Sequence, residues 1–407
     1  MTAKTKSGFE TLAKARLSPQ EQLMKVKQGG NSFLIGLPRE ISLQENRICL
    51  TPDAIALLIN HGHEVWVETK AGIGSRFSDK QYSEAGAKIV YSARELYKAD
   101  IILKIEPPTL TEIEYFKPGQ ILISALQLGH LEKNFMDAML QKRVTSLAWE
   151  FIEDKVGGMP IIRSMSEIAG STVMLIAAEY LSSVHGGRGI ILGGITGVPP
   201  TKVVIIGSGT VAEYSARAAL SLGAEIQVFD NHLYKLRRIK HTLGHQFYTS
   251  TIDTVTLGES LTTADVVIGA LRIEKGRARH VVSEEMVSKM KPNSLIIDLS
   301  IDQGGCIATS EITTHAKPIF RKYDVIHYCV PNVASRVAHT ATTALSNIFT
   351  PTILRAAEEG GVERMIFSHK WFMKGVYTYK GGLTNESVAR KFGLKFKNIE
   401  LLMAAQI

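Results

Sequence analysis

The stretch TKVVIIGSGTVAEYSARAALSLGAEIQVFD, residues 201–230, decides the fold. Val203–Ile206 is an apolar, β-branched run, the pattern of a strand buried in a parallel sheet. It leads into Gly207-Ser208-Gly209, a turn too tight for large side chains. Val211–Leu222 then carries apolar residues at roughly helical spacing, and Gly223 closes it. A second strand, Glu225–Phe229, finishes in Asp230. Strand, glycine turn, helix, strand and acid in this order make the unit that grips a dinucleotide. Gly207 permits the turn, Gly209 lets the backbone approach the pyrophosphate beside Ser208, and the helix start at Val211 meets the negative charge. Ala212 takes the third small position, so the fingerprint reads G-x-G-x-x-A. An ordinary turn whose glycines serve only packing has no need of the second strand and its terminal acid. Asp230 is placed to accept both ribose hydroxyls and would repel a 2′-phosphate, which favours NAD over NADP.

The chain's 407 residues suffice for two domains, each with its own core. Its longest apolar stretch, near Val173, is interrupted by Glu179 and is too short to span a bilayer. The N-terminus has no apolar segment of the signal-peptide kind, so the expected location is cytoplasmic, without membrane contact. Cys49, Cys306 and Cys329 show no metal-ligand or C-x-x-C spacing, which suits a reducing compartment and no bound metal. A net charge of +8 raises the question of nucleic acid. The basic residues are scattered, however, and the densest group, Lys235, Arg237, Arg238 and Lys240, reads as the solvated face of a helix. No nucleic-acid partner is expected. No repeat is visible.

Outward from the central unit, strands and helices alternate. Phe33–Leu37 reads as a strand, Thr51-Pro52 as the cap and first position of a helix Asp53–Asn60, and Glu64–Glu68 as the next strand. Ile101–Ile105 and Ile121–Ala125 follow as strands, and Ser166–Ser182 as one long connecting helix. Beyond the central unit come strands at Val266–Gly269, Leu295–Ile301 and Val325–Val330, then a helical tail from about Ala341. The expected architecture is α/β, with two Rossmann-like domains. The nucleotide domain, 161–340, is inserted in a discontinuous substrate domain made of 31–160 and 341–407, behind an N-terminal extension, 1–30, with a short helix around Pro19–Lys27. The active site is expected in the cleft between the domains.

The segments GLPREISLQENRICLTP, VETKAGIGSRFSD, MSEIAG, GGRGIILGGITGVPPTKVVIIGSG, IDLSIDQGGC and HYCVPN resemble the alanine dehydrogenase and transhydrogenase α-subunit family, over nearly everything from Phe33 to Leu394. Asp302-Gln303-Gly304-Gly305-Cys306 is similar to the alanine dehydrogenase branch. The resemblance implies L-alanine, NAD and water giving pyruvate, ammonium and NADH, in a homo-hexamer acting on a small-molecule substrate. Such chemistry needs a cation for the substrate carboxylate, groups that move protons, and a nicotinamide held face-on to Cα. Arg47 matches the family's carboxylate-binding arginine, and its planar fork suits that pairing. Asp302 matches the active-site aspartate and is expected at the C-terminal end of the strand Leu295–Ile301, with Gly304 and Gly305 admitting a ligand close to the backbone. Asp298, on the same strand, reads as a structural acid or one turned away from the cleft.

Two positions depart from the family. Glu106 stands where the family has its substrate-binding lysine, and a glutamate repels a carboxylate. Lys104 is the possible substitute: two residues back on a strand it shares the face of Glu106 at about 6–7 Å, placed to reach in or to pair with Glu106. Gln127 stands where the family has its catalytic histidine, and an amide carries no proton near neutral pH. His130 is either a replacement, if its loop bends back, or a surface histidine.

On the cofactor side Ser166, Leu271, Val330 and Asn332 match family positions around the nicotinamide half, and Lys235 one near the adenosine ribose, where a solvated helix lysine is an equal reading. His327, beside a buried strand, reads as a satisfied core histidine. Three functions remain in play. They are an NAD-dependent alanine dehydrogenase or a relative acting on another small amino or imino acid; an NAD-binding member with lost or altered catalysis; and a soluble transhydrogenase subunit, disfavoured by the Asp302–Cys306 segment.

Overall fold

The computed structural model describes residues 31–42, 44–127, 131–271 and 280–404, and within these the chain forms two α/β domains. The expected short helix at 19–27 and His130 fall outside the described residues.

The first domain opens with β1 (Leu34–Leu37), α1 (Pro52–Asn60), β2 (Glu64–Glu68) and β3 (Lys88–Val90). It continues through β4 (Ile101–Leu103), α2 (Leu110–Tyr115), β5 (Ile121–Ser124) and β6 (Thr145–Ala148). Thr51 caps α1 by accepting from the Ala54 amide, with Pro52 at the first position. A long helix, α3 (Pro160–Leu181), starts earlier than the apolar spacing suggested because Pro160 seeds its first turn. The second domain then runs through β7 (Lys202–Ile206), α4 (Thr210–Ser221), β8 (Glu225–Phe229), β9 (Tyr248–Ser250), β10 (Val266–Gly269), β11 (Leu295–Asp298), β12 (Ile319–Lys322) and β13 (Val325–Tyr328). After α5 (Ala338–Glu358) the chain returns to the first domain and adds β14 (Val376–Tyr379) and β15 (Gly382–Leu383).

Strand order in the first sheet is β15-β14-β6-β5-β4-β1-β2-β3, and in the second β12-β13-β11-β10-β7-β8-β9. The six parallel strands of each sheet therefore follow one order, third-second-first-fourth-fifth-sixth, the doubly wound arrangement that leaves a crevice at the carboxyl ends of the strands. β7 is the middle of the second sheet, paired in register with β8 (Val203 to Ile226) and β10 (Val203 to Val266). Buried on both faces, it needs the β-branched run that the sequence shows. The nucleotide-type domain is thus inserted in the other, as expected.

The two long helices tie the cores together. Ile161 and Met165 of α3 pack in the first domain's core, while Val173, Ile176, Ala177 and Leu181 belong to the second. Leu345, Phe349 and Ile353 of α5 pack in the first. Gly170 sits where α3 meets α4: a Cβ there would lie 2.5 Å from the Val211 carbonyl oxygen and 2.7 Å from Tyr214 Cβ. Two helices approach this closely only through a residue without a side chain.

Candidate active site

The turn after β7 forms the cradle that the sequence predicts. Gly207 has φ +111° and a Cβ on it would meet the Ala270 carbonyl oxygen at 2.4 Å, so the turn requires glycine. A Cβ on Gly209 would meet nothing within 4 Å among the described residues. Gly209 is the cap residue of α4, and no side chain among the described residues caps the first-turn amides, Val211's among them. Asp230 closes β8 with both oxygens engaged: Oδ2 accepts from the Ser208 amide (2.9 Å) and hydroxyl (2.7 Å), and Oδ1 from the His232 amide (2.8 Å) and Nδ1 (2.9 Å). Burial pushes its pKa up, but these bonds outweigh it and hold the carboxyl below its ordinary value. A ribose diol therefore competes with Ser208 and His232 for Asp230. Arg238 donates to the Ser208 carbonyl at 2.9 Å, and Lys235, one helical turn away, pulls the Asp230 pKa down. The open approach at Gly209, the uncapped helix and the carboxylate at the end of the second strand fit a dinucleotide.

Asp298, buried, organises the loop that follows. Its carboxylate accepts from the amides of Ser300 (3.0 Å), Cys306 (3.0 Å) and Ile307 (3.3 Å) and from the Ser310 hydroxyl (2.8 Å). That capture ends β11 three residues earlier than the apolar run Leu295–Ile301 suggested. Asp302 accordingly lies beyond the strand, exposed in a 3-10 turn, Ile301–Gln303. Gly305 has φ +77° and its missing Cβ makes room for Asp298 Oδ2, 2.8 Å from where the atom would stand. His327 is the satisfied core histidine expected, between Thr309 Oγ1 (2.8 Å) and the Val325 carbonyl (3.0 Å), with burial lowering its pKa to about 4.

Across the cleft, residues at the carboxyl ends of β1, β4, β5 and β6 converge. Arg47 is buried and Glu45 clasps it: Nε donates to Oε1 (2.8 Å) and Nη2 to Oε2 (2.6 Å). The other terminal nitrogen, Nη1, reaches the sulfur of Met165 at 3.3 Å, one residue before Ser166 on α3. Burial opposes the charges, yet the pair prevails: Glu45 is held below its ordinary pKa and Arg47 above its own. Asn332, two residues beyond the buried Val330 and in the left-handed region at φ +57°, donates its amide to Glu45 Oε2. Ser335 accepts from the Asn46 amide at 2.9 Å. These bonds join the second domain to the Arg47 loop.

Lys104 does not substitute for the family lysine. β4 ends at Leu103, so the strand face that Lys104 was expected to share with Glu106 does not exist. Its side chain is buried (1% exposed), 3.2 Å from Glu40 Oε2 and 3.0 Å from Glu112 Oε1 of α2. An ammonium clamped between two carboxylates is unavailable to substrate.

Glu106 instead faces the cleft with 15% of its side chain exposed, Oε1 4.0 Å from Arg47 Nη2. Gln127 donates its side-chain amide to Glu106 Oε2. Burial and then the charge of Glu45 push the Glu106 carboxyl up to about 7, against the pull of Arg47. Gln127 itself adopts φ +47°, and its backbone is fixed by Glu150, whose Oε1 accepts the amides of Leu126 (2.7 Å) and Gln127 (3.0 Å). Sequence reasoning missed Glu40, Glu45 and Glu150. Glu40 and Glu150 follow β1 and β6 as Glu106 follows β4, and acids just past parallel strands are the signal that marks them. Of the residues expected, the structure brings Arg47, Glu106, Gln127 and Asn332 into one cluster. Asp302, Leu271, Lys235 and the turn Gly207–Gly209 stand on the second domain.

The family model described as "Alanine dehydrogenase/PNT, N-terminal domain" matches residues 36–169, and that described as "Alanine dehydrogenase/PNT, C-terminal domain" matches residues 173–386. The chain is 38% identical over 367 residues to alanine dehydrogenase 2 of Staphylococcus aureus (strain USA300), covering 90% of this chain and 98% of that protein. It is 37% identical over 370 residues to the alanine dehydrogenase of Methanococcus maripaludis, covering 90% and 99%. A solved L-alanine dehydrogenase superposes with a TM-score of 0.82 at 32% identity, covering 88% of this chain and 99% of that one.

Proposed function

The chain belongs to the alanine dehydrogenase/PNT family, and from that premise we propose that it is an NAD-dependent amino-acid dehydrogenase. It takes L-alanine or another small amino acid, with water, to the 2-oxo acid and ammonium. The observation that carries this reading is the convergence of Arg47, Glu106 and Gln127 with Asn332 at the carboxyl ends of both sheets' strands, in a chain whose second domain also carries the glycine turn after β7.

Gly207, Ser208, Gly209 and Val211 would hold the pyrophosphate, Asp230 and Lys235 the adenosine ribose, and Ser166, Leu271, Val330 and Asn332 the nicotinamide half. Bound there, NAD supplies the acceptor for the hydride that leaves the substrate's Cα. The substrate carboxylate meets the end of the Arg47 guanidinium, since Glu45 takes only the Nε–Nη2 edge and, among the described residues, Nη1 has no better partner than a thioether. Asp302 sits on a turn that Asp298 rigidly places, and assists at the substrate from the second domain. The reading carries with it a cytoplasmic homo-hexamer. Self-association is supported by the exposed apolar side chains of Leu175, Ile191, Ile195 and Val198.

A second reading rests on the same cluster: Glu106 and Gln127 in place of lysine and histidine suit an NAD-binding member with lost or altered catalysis. One experiment separates the two. NADH oxidation is followed with pyruvate and a panel of other 2-oxo acids plus ammonium, beside a fluorescence titration of NADH binding. Turnover that Asp302→Asn abolishes supports the dehydrogenase. NADH binding without turnover of any 2-oxo acid selects the binding protein.

A further inference from the structure

We propose that the carboxyl of Glu106 is the group that takes and returns protons at the substrate nitrogen and at the attacking water. The inference rests on the amino-acid dehydrogenase reading and deepens it. The reaction requires a proton carrier beside Cα, and Gln127 cannot be one because an amide neither gains nor loses a proton near neutral pH.

The ionisable groups that act on Glu106, together with Lys104 and Glu150, are committed elsewhere. Arg47 is clasped by Glu45, and Glu45 in turn by Arg47 and Asn332. Lys104 is clamped by Glu40 and Glu112. Glu40 also accepts the Ile105 amide at 2.7 Å, and Glu150 holds two backbone amides on Oε1 while its Oε2 is buried away from solvent. Glu106 differs from all of these. One oxygen is steadied by Gln127, the nearest cation is 4.0 Å from the other, and the side chain is partly open to the cleft. The charged groups that face it are Glu45, Arg47 and Glu40; burial first, and then the two carboxylates, raise its affinity for a proton against the pull of the guanidinium and of the Gln127 amide. A carrier poised near the working pH is the most effective one.

The proton steps balance as follows. The Glu106 carboxylate removes one proton from the substrate's ammonium group and passes it to solvent through its exposed edge. Once the Cα–H electron pair has left as hydride to NAD, the substrate is an iminium. Glu106 takes a proton from water as the oxygen bonds to Cα, giving the carbinolamine. It then returns that proton to the nitrogen, the C–N bond breaks to release ammonia, Glu106 carries the hydroxyl proton to that ammonia, and 2-oxo acid and ammonium leave. Gln127 holds the carboxyl in place throughout, a positioning residue rather than a carrier.

The test compares wild type with Glu106→Gln, Glu106→Asp and Gln127→Leu. In wild type, log kcat should show a limb near pH 7. Glu106→Gln should lower kcat by roughly a hundred- to ten-thousand-fold and lose that limb, with NADH binding unchanged. Glu106→Asp should recover part of the rate. Gln127→Leu should keep the limb but move it to higher pH, because it removes a donor to the charged form. Infrared difference spectra, independent of turnover, should show a carboxyl that titrates near neutrality in wild type and is absent in Glu106→Gln. A Glu106→Gln enzyme that keeps its rate and its limb overturns the proposal, as does a Glu106 ionised across about pH 5 to 9. If the infrared titration is present but wild type turns over no amino or 2-oxo acid, the dehydrogenase reading has failed and this inference falls with it.

Discussion

Glu45 and Asn332 stand 287 residues apart in the chain and share a hydrogen bond of 2.5 Å. The oxygen that accepts it, Oε2, also takes Arg47 Nη2, so one carboxylate fixes both the guanidinium and the contact between domains. Removing either member of the Arg47–Glu45 pair leaves a buried charge. Arg47→Leu and Glu45→Leu should each cost about 3–5 kcal/mol, and the double variant clearly less than their sum. Urea unfolding of the four proteins measures the coupling; additive losses would show that the pair is not an energetic unit.

Gly170→Ala should separate α3 from α4. The new Cβ meets backbone, the Val211 carbonyl at 2.5 Å, and that atom cannot rotate away. A loss of about 1–3 kcal/mol is expected, as for overpacked cores. NADH affinity should fall too, since the displaced residue Val211 lies in the first turn of the helix that receives the pyrophosphate. Calorimetry and NADH titration read the two effects separately.

Asp230→Ser should shift cofactor choice. It removes the carboxylate that repels a 2′-phosphate and leaves Lys235 and Arg238 close by. NADPH binding should strengthen at least about tenfold, equivalent to roughly 1.4 kcal/mol, while NADH binding weakens. Unchanged NADPH affinity would mean that Ser208 and His232, which occupy Asp230, set the preference instead.

Stability should depend on pH in opposite senses at the half-buried Glu106 and the buried His327. Glu106 titrates near 7 in the fold against 4.5 when free, so the folded state keeps a proton that the unfolded chain gives up between those values. Its contribution is present below about pH 4.5 and lost as pH rises to about 7. Glu106→Gln should therefore gain on wild type over that window, by on the order of 1–3 kcal/mol. His327 titrates near 4 against 6.5, so its contribution is present above about 6.5 and lost as pH falls toward 4. His327→Gln should narrow its gap to wild type on acidification. Parallel unfolding curves for variant and wild type would refute either assignment.

The α/β class with two domains and the β7–α4–β8 unit follow from signals in the sequence: β-branched runs, a glycine turn and an acid at the end of β8. Side-chain commitments were less legible. Nothing local in Lys104-Ile105-Glu106 tells which of the two charged residues turns inward, because the choice is made by Glu40, distant in the chain, and by Glu112 on α2. Likewise the apolar residues Leu299 and Ile301 extend the pattern of β11, while the strand is ended by a carboxylate that gathers four donors from the following loop. Periodicity reports which residues are buried. It does not report which donors a buried acid will collect.

The hydroxyl of Thr378 on β14 meets that of Ser146 on β6 at 2.7 Å, across 232 residues of chain. A ribosome thus finishes the second domain before it has made the strand that flanks β6. Until then the β6 edge of the first sheet is unpaired, and an unpaired edge is where nascent chains associate. Folding of the inserted domain brings its two ends together and shortens the loop that β14 must close. The order of synthesis therefore makes the nucleotide domain a scaffold for completing its host, and the arrival of β14 the step that covers the β6 edge.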